Sequence, residues 1–167
     1  MYRGDNLTYE DLLKQADELG LTVKDKPLLA NKGRIKKNRI AIKKDLPDIE
    51  KTCVLAEELG HYHSTVGDII DQKSVSDVKQ EQYARLWAYD KLIGLHGIIG
   101  AYKHGCCSLH DMADFLEVTE EFLSDALERY RSKYGCYTVF DAYIIYFEPS
   151  LAVIELYGRQ RNFPYIF

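Results

Sequence analysis

Leu55-Ala56-Glu57-Glu58-Leu59-Gly60-His61-Tyr62-His63 is the stretch on which the reading of this chain turns. Apolar residues recur at helical spacing through Ile49, Cys53, Leu55, Ala56 and Leu59. Pro47 sits where a first turn tolerates it, and Asp48 and Glu50 suit the positive N-terminus of a helix, so the spacing predicts a helix that ends near His63. Residues four apart share one helical face, which lets Glu57 and His61 address a single point with Glu58 alongside.

That arrangement follows the logic of the HExxH motif with one substitution. In that motif two histidines hold zinc, and the intervening glutamate takes a proton from water as it attacks a carbonyl. Here Glu57 replaces the first histidine. A carboxylate is a competent zinc ligand, and the added negative charge brings harder cations such as Mn²⁺ into range. A third ligand is needed, and Glu81, near the start of the next long helix, is the candidate. Ala84 and Ala88 leave that helix slim enough for close approach. The plain alternative is that Glu57 and Glu58 are solvated and His61 caps the helix near Gly60. His63 points elsewhere on the helix, and His96, His104 and His110 carry no partner pattern. Tyr62 and Tyr83 are the tyrosines nearest the motif, and neither is assigned a role in stabilising an oxyanion.

Outward from this helix the pattern is α+β. Thr8–Leu19 has Leu12, Leu13, Ala16 and Leu19 at helical spacing, Thr8 as N-cap and Gly20 as stop. Leu21–Leu46 alternates, with Lys37-Asn38 between Arg34–Lys36 and Arg39–Lys43, as in a small antiparallel sheet. After a polar, turn-like stretch, Gly67–Asp77, one long helix is expected over Val78–Tyr102, loosened at its glycines. Ser108–Leu116 and Thr119–Lys133 read as two helices split by a short turn, a helix-turn-helix-like pair with Ser108 and Thr119 as N-caps. Tyr137–Phe147 and Leu151–Tyr157 flank Glu148-Pro149-Ser150 as a C-terminal β-hairpin, which completes the sheet or offers a strand edge to an extended substrate. The expected organisation is a catalytic core over 1–104, with 105–167 packed on it.

Composition narrows the function. Across 167 residues, 46% are hydrophobic and 29% charged, the balance of a globular protein. Thirteen tyrosines suit wet clefts or simply finish a core. The longest apolar stretch, Leu92–Ala101, is too short and too interrupted to span a membrane, and nothing at the N-terminus resembles a signal peptide, so a cytoplasmic location is expected. Cys53, Cys106, Cys107 and Cys136 lack CxxC spacing and are expected as reduced, mostly structural thiols. Net charge is −4, yet Lys32, Arg34, Lys36, Lys37, Arg39, Lys43 and Lys44 crowd one stretch. Interleaved with Ile35, Ile40 and Ile42, they read better as the solvated face of strands than as a phosphate track. DNA binding by Ser108–Lys133 is disfavoured, because Glu120, Glu121, Asp125 and Glu128 crowd the segment where base contacts would begin.

Leu55–His61, joined to Glu81-Gln82-Tyr83-Ala84-Arg85-Leu86-Trp87-Ala88, resembles the ImmA/IrrE family of bacterial and phage metallopeptidases. That family pairs an HELGH-type helix with a downstream Glu preceding an Ala-x-x-aromatic-Ala helix. The likeness in element order spans roughly residues 8–133. It implies a zincin-like core and a zinc-dependent endopeptidase, with His61 as the second histidine, Glu58 as general base and Glu81 as downstream ligand. Glu57 stands where the family has its first histidine, a variant similar to those of short prophage and mobile-element proteins. The resemblance implies an anti-repressor role with a helix-turn-helix repressor as partner, either cleaved or, as the departure at Glu57 suggests, bound and neutralised without cleavage.

Overall fold

The structure, a computed structural model, describes residues 6–68 and 77–156. The chain divides into two compact units, one formed by Leu7–Leu92 and the other by Asn6 with the chain from Ile93 onward.

The first unit opens with α1 (Tyr9–Glu18). Thr8 caps it by accepting from the Asp11 amide, and Asp11 accepts from the Thr8 amide in return, so two otherwise orphaned donors are satisfied. Leu12 and Ala16, four apart, are its fully buried positions. Gly20 ends the turn at φ +72°, a conformation that costs glycine little.

Three strands follow: β1 (Thr22–Lys26), β2 (Gly33–Lys36) and β3 (Arg39–Lys43). They order as β1-β3-β2. The Lys37-Asn38 turn joins β2 and β3 in an antiparallel ribbon, as the sequence predicts, but β1 lies parallel to β3, with Val23 opposite Ile40. The sheet is therefore mixed rather than antiparallel. Alternation fixes which face of a strand is buried and is silent about its direction. Val23, Ile35, Ile40 and Ile42 share the inner face, where Ile40 and Ile42 are buried.

That face packs on α2 (Asp48–Asp68), which runs five residues past the expected end at His63. Gly67 and Asp68, expected in a turn, are its last residues, and the rest of that stretch up to Asp77 lies outside the described residues. Next, α3 (Asp77–Leu92) packs along α2. The approach is close enough that a Cβ on Gly60 would meet the Ala84 backbone, and Ala84 and Ala88 are fully buried, as their small size suggests. Only glycine fits at position 60 without separating the helices.

The expected helix over Val78–Tyr102 is two helices. Gly94, at φ +58°, interrupts the right-handed ladder, and α4 (Gly94–His104) begins there. The second unit continues with α5 (Leu109–Leu116) and α6 (Glu120–Tyr134), capped by Ser108 and Thr119. Leu116, Phe122 and Leu123 are buried between these elements, consistent with a packing pair. The C-terminal region is a three-stranded antiparallel meander rather than a two-stranded hairpin: β4 (Tyr137–Phe140), β5 (Tyr143–Tyr146) and β6 (Ala152–Glu155). The single strand expected over Tyr137–Phe147 folds back at Asp141, whose φ of +53° Asp tolerates better than most residues. The last residue of the second expected strand, Tyr157, lies outside the described residues.

Among the described residues, no helix is long and apolar enough to cross a membrane. All four cysteines are free; Cys53 and Cys106 are buried, whereas Cys107 and Cys136 are exposed.

Candidate metal centre on the paired helices

The site lies within the first unit, on α2, with the sheet behind it and α3 beside it. Glu58 is buried at 9% exposure. Its carboxylate sits against β2, where a Cβ on Gly33 would come within 2.7 Å of Oε1 and 2.5 Å of Val54 Cγ1. The missing side chain at position 33 thus makes room for Glu58. The Ile35 amide donates to this carboxylate and favours its charged form. Burial opposes that charge more strongly, and the neighbouring Glu57 and Glu81 charges add to the opposition, so the Glu58 pKa is pushed up to about 7. A base poised near neutrality takes and returns a proton with little loss in either direction.

One turn apart on α2, Glu57 and His61 are half-buried. His61 Nε2 lies 3.4 Å from Glu81 Oε2 across the helix pair. Two ligands about 2.05 Å from a tetrahedral zinc are separated by about 3.3 Å, so this pair already has the length of one tetrahedral edge. The other oxygen of Glu81, Oε1, accepts a 2.7 Å hydrogen bond from Arg85 Nε. This bond raises the Arg85 pKa and fixes the Glu81 carboxylate with Oε2 toward His61.

The structure thus brings His61 and Glu81 together across the helix pair, with the Glu57 and Glu81 charges felt at Glu58. Among the described residues, however, no three His, Cys, Asp or Glu side chains form a group that would hold an ion as they stand. The Glu57 charge reaches both Glu58 and Arg85. The donor set of one imidazole and two carboxylates fits a divalent cation, and cationic charge would offset the mutual repulsion that Glu58 reports.

Sequence reasoning missed Arg85, Gly33 and the Ile35 amide. Arg85 was legible as the i,i+4 partner of Glu81. Gly33 in a strand signals a close approach without saying to what. His63 turns away, as its spacing implies. It stacks on Trp87 with ring centroids 4.6 Å apart, and burial, then the Lys91 charge, lowers its pKa. Tyr83 is 64% exposed. In the second unit His104 stacks on Phe115, and His110, without a pattern in sequence, bonds Glu120 at 2.9 Å.

The first unit is thus a mixed α+β unit that presents Glu-Glu-x-x-His on one helix and a glutamate on the next. The family model for the IrrE N-terminal-like domain, Peptidase_M78, matches residues 11–128, and the chain belongs to this family of metallopeptidases. The resemblance drawn from Leu55–His61 and Glu81–Ala88 is thereby borne out. Among curated proteins, none matches the chain.

Proposed function

We propose that the chain is a metal-dependent endopeptidase of zincin type in which Glu57, His61 and Glu81 hold the ion and Glu58 is the general base. The observation that carries this reading is the His61–Glu81 pair at 3.4 Å, standing beside a buried carboxylate on the same helix. Zn²⁺ is the first candidate and Mn²⁺ the second, because two carboxylates make a harder donor set than the two-histidine motif. When bound, such a cation lowers the pKa of water and polarises a peptide carbonyl.

The chain's own residues do the rest. Glu58 takes the proton of the attacking water and passes it to the departing amide nitrogen. The Ile35 amide and the space above Gly33 hold that carboxylate in place between the two transfers. Arg85 acts through Glu81 as a positioning residue, leaving Oε2 for the ion. The substrate in this reading is a helix-turn-helix repressor of a phage or mobile element, so that cleavage has an anti-repressor effect. Family membership supports the peptidase; the repressor rests on the resemblance alone.

A second reading is favoured by Glu57 and by the Arg85–Glu81 bond: a non-catalytic relative that binds and neutralises its repressor. In it, the guanidinium supplies the positive charge Glu81 needs. DNA binding through α5 and α6 is weaker still, since the first turn of α6 carries Glu120 and Glu121.

Metal content of the purified protein by elemental mass spectrometry separates the first two. Near-stoichiometric metal that falls in both His61→Ala and Glu81→Ala supports the peptidase, and Glu58→Gln then abolishes cleavage with metal retained. No metal after supplementation with Zn²⁺ and Mn²⁺ leaves the non-catalytic binder. If metal is bound, Glu57→His asks whether glutamate is the working ligand: activity falls if it is and rises if the motif has decayed.

A further inference from the structure

Nine of the chain's 22 Lys and Arg residues fall between Thr22 and Lys44, against one acid, Asp25. Strand register sorts them by face. Lys24 and Lys26 on β1, Arg34 and Lys36 on β2, and Arg39 and Lys43 on β3 all share the face opposite Val23, Ile35, Ile40 and Ile42. Gly33, on the inner face, is directed at Val54 and Glu58 of α2, so the six cations are directed away from that helix. Only Thr22 and Ala41 stand between them. Asp25 belongs to the inner set and is taken by Lys51 at 2.7 Å. Among the described residues, no ion pair joins any of the six to a carboxylate.

A merely solvated strand face needs polar residues, not like charges set opposite one another. Here Lys36 is the registered partner of Arg39, and Lys26 of Lys43. Like charges directly opposite destabilise a sheet. The turn adds a third oddity, for Lys37 takes φ +56° where Gly or Asn is the easier choice. Cations are thus kept, against local preference, on one face of an otherwise acidic chain.

We propose that this outer sheet face docks the phosphate backbone of duplex nucleic acid. The face is about 10 Å across three strands and about 14 Å along β3, and five of its six cations are exposed. It offers no apolar centre, which a protein partner would need to bury. It offers no aromatic ring on which the bases of a single strand would stack. What remains is a charge array that neutralises phosphates without reading bases, the backbone-positioning mode of contact. The surface is distinct from the α5–α6 pair, and the inference stands whether or not the chain cleaves peptides.

The test is fluorescence anisotropy of the full chain with a labelled 25-base-pair duplex of arbitrary sequence, titrated between 50 and 200 mM salt. Six phosphate contacts give a log–log salt slope near −5 and a loss of affinity of about 10³-fold across that range. The variant Lys24→Gln/Arg34→Gln/Lys36→Gln/Arg39→Gln should bring the slope to about −2, with a loss of only about 10-fold. A Lys24→Arg/Lys26→Arg/Lys36→Arg variant keeps the charge and should bind as wild type, as should Lys14→Gln/Lys79→Gln, which removes cations elsewhere. Fluorescence of Trp87, the single tryptophan, verifies that each variant is folded. No binding by wild type at 50 mM salt, or a wild-type slope in the fourfold Gln variant, overturns the proposal. Poly-glutamate bound as tightly as the duplex, through the same four cations, overturns it in favour of an acidic protein partner.

Discussion

Replacing Glu58 by Gln should stabilise the metal-free protein at pH 8 and do little at pH 4.5. The group's folded pKa of about 7 lies above its ordinary value of 4.5, so the folded state holds this proton more tightly than the unfolded chain does. A raised folded pKa contributes stability that is fully present below the unfolded value and is lost as pH rises through the folded one. The window of loss is thus pH 4.5 to 7. At about 1.4 kcal/mol per pKa unit, the ionised Glu58 withdraws about 3 kcal/mol by pH 8, an order-of-magnitude figure. Glutamine has the same shape, stays neutral, and still accepts from the Ile35 amide, so it escapes that loss.

The assay is urea unfolding in the presence of a chelator, followed by the fluorescence of Trp87. This residue lies on α3 in the same unit as Glu58 and stacks on His63, so it reports the relevant transition even if the two units unfold separately. The expected result is a gap between Glu58→Gln and wild type that opens from near zero at pH 4.5 to about 3 kcal/mol at pH 8. A variant equally or less stable than wild type at pH 8 would refute the reasoning, because it would mean that the carboxylate is held by compensating donors and carries no burial cost.

Two further outcomes follow from the same helix pair. Gly60→Ala should destabilise the first unit by roughly 1–3 kcal/mol, since its Cβ meets the Ala84 backbone and the gain of about 0.5–1 kcal/mol from a better helix former cannot offset that overlap; the same Trp87 unfolding curve measures it, and an unchanged midpoint would show that the helices part without cost. Arg85→Gln should weaken Zn²⁺ binding by about 10- to 100-fold, as loss of an orienting partner does, read by competition with a fluorescent chelator. Tighter binding in that variant would mean that the guanidinium competes with the ion for Glu81, which is the expectation of the non-catalytic reading.

The helical half of the fold was legible because its signals are local. Thr8, Ser108 and Thr119 each cap the helix that follows, and Ala84 and Ala88 mark the slim face of α3 on which Gly60 packs. The strands were legible as strands but not as sheets. Val23 is buried or exposed by alternation whichever way β1 runs, so its parallel pairing with β3 leaves no trace in residue order. A single residue, Asp141, divides one apparent strand into β4 and β5, and one backbone dihedral, at Gly94, divides one apparent helix into two. In each case the decisive quantity is a φ angle that several residue types permit and none requires.

The site shows the same division between spacing and depth. Glu57, Glu58 and His61 follow from helical periodicity, and Glu81 from the need for a facing helix, yet nothing in their spacing says that Glu58 alone is buried. That asymmetry comes from the sheet: β2 presents a glycine and a backbone amide to Glu58, whereas Glu57, one position earlier, is only half-buried. Of the two adjacent glutamates, it is Glu58 that is thereby poised near neutral pH. The sheet that creates this difference also carries the cationic array on its opposite face. A strand such as β2 thus contributes to both sides at once, Gly33 and Ile35 toward the buried Glu58, Arg34 and Lys36 toward solvent. Substitutions that neutralise the outer face leave the inner residues untouched, so the proposed nucleic-acid docking and the proposed proton transfer at Glu58 are separable by mutation although they share a strand.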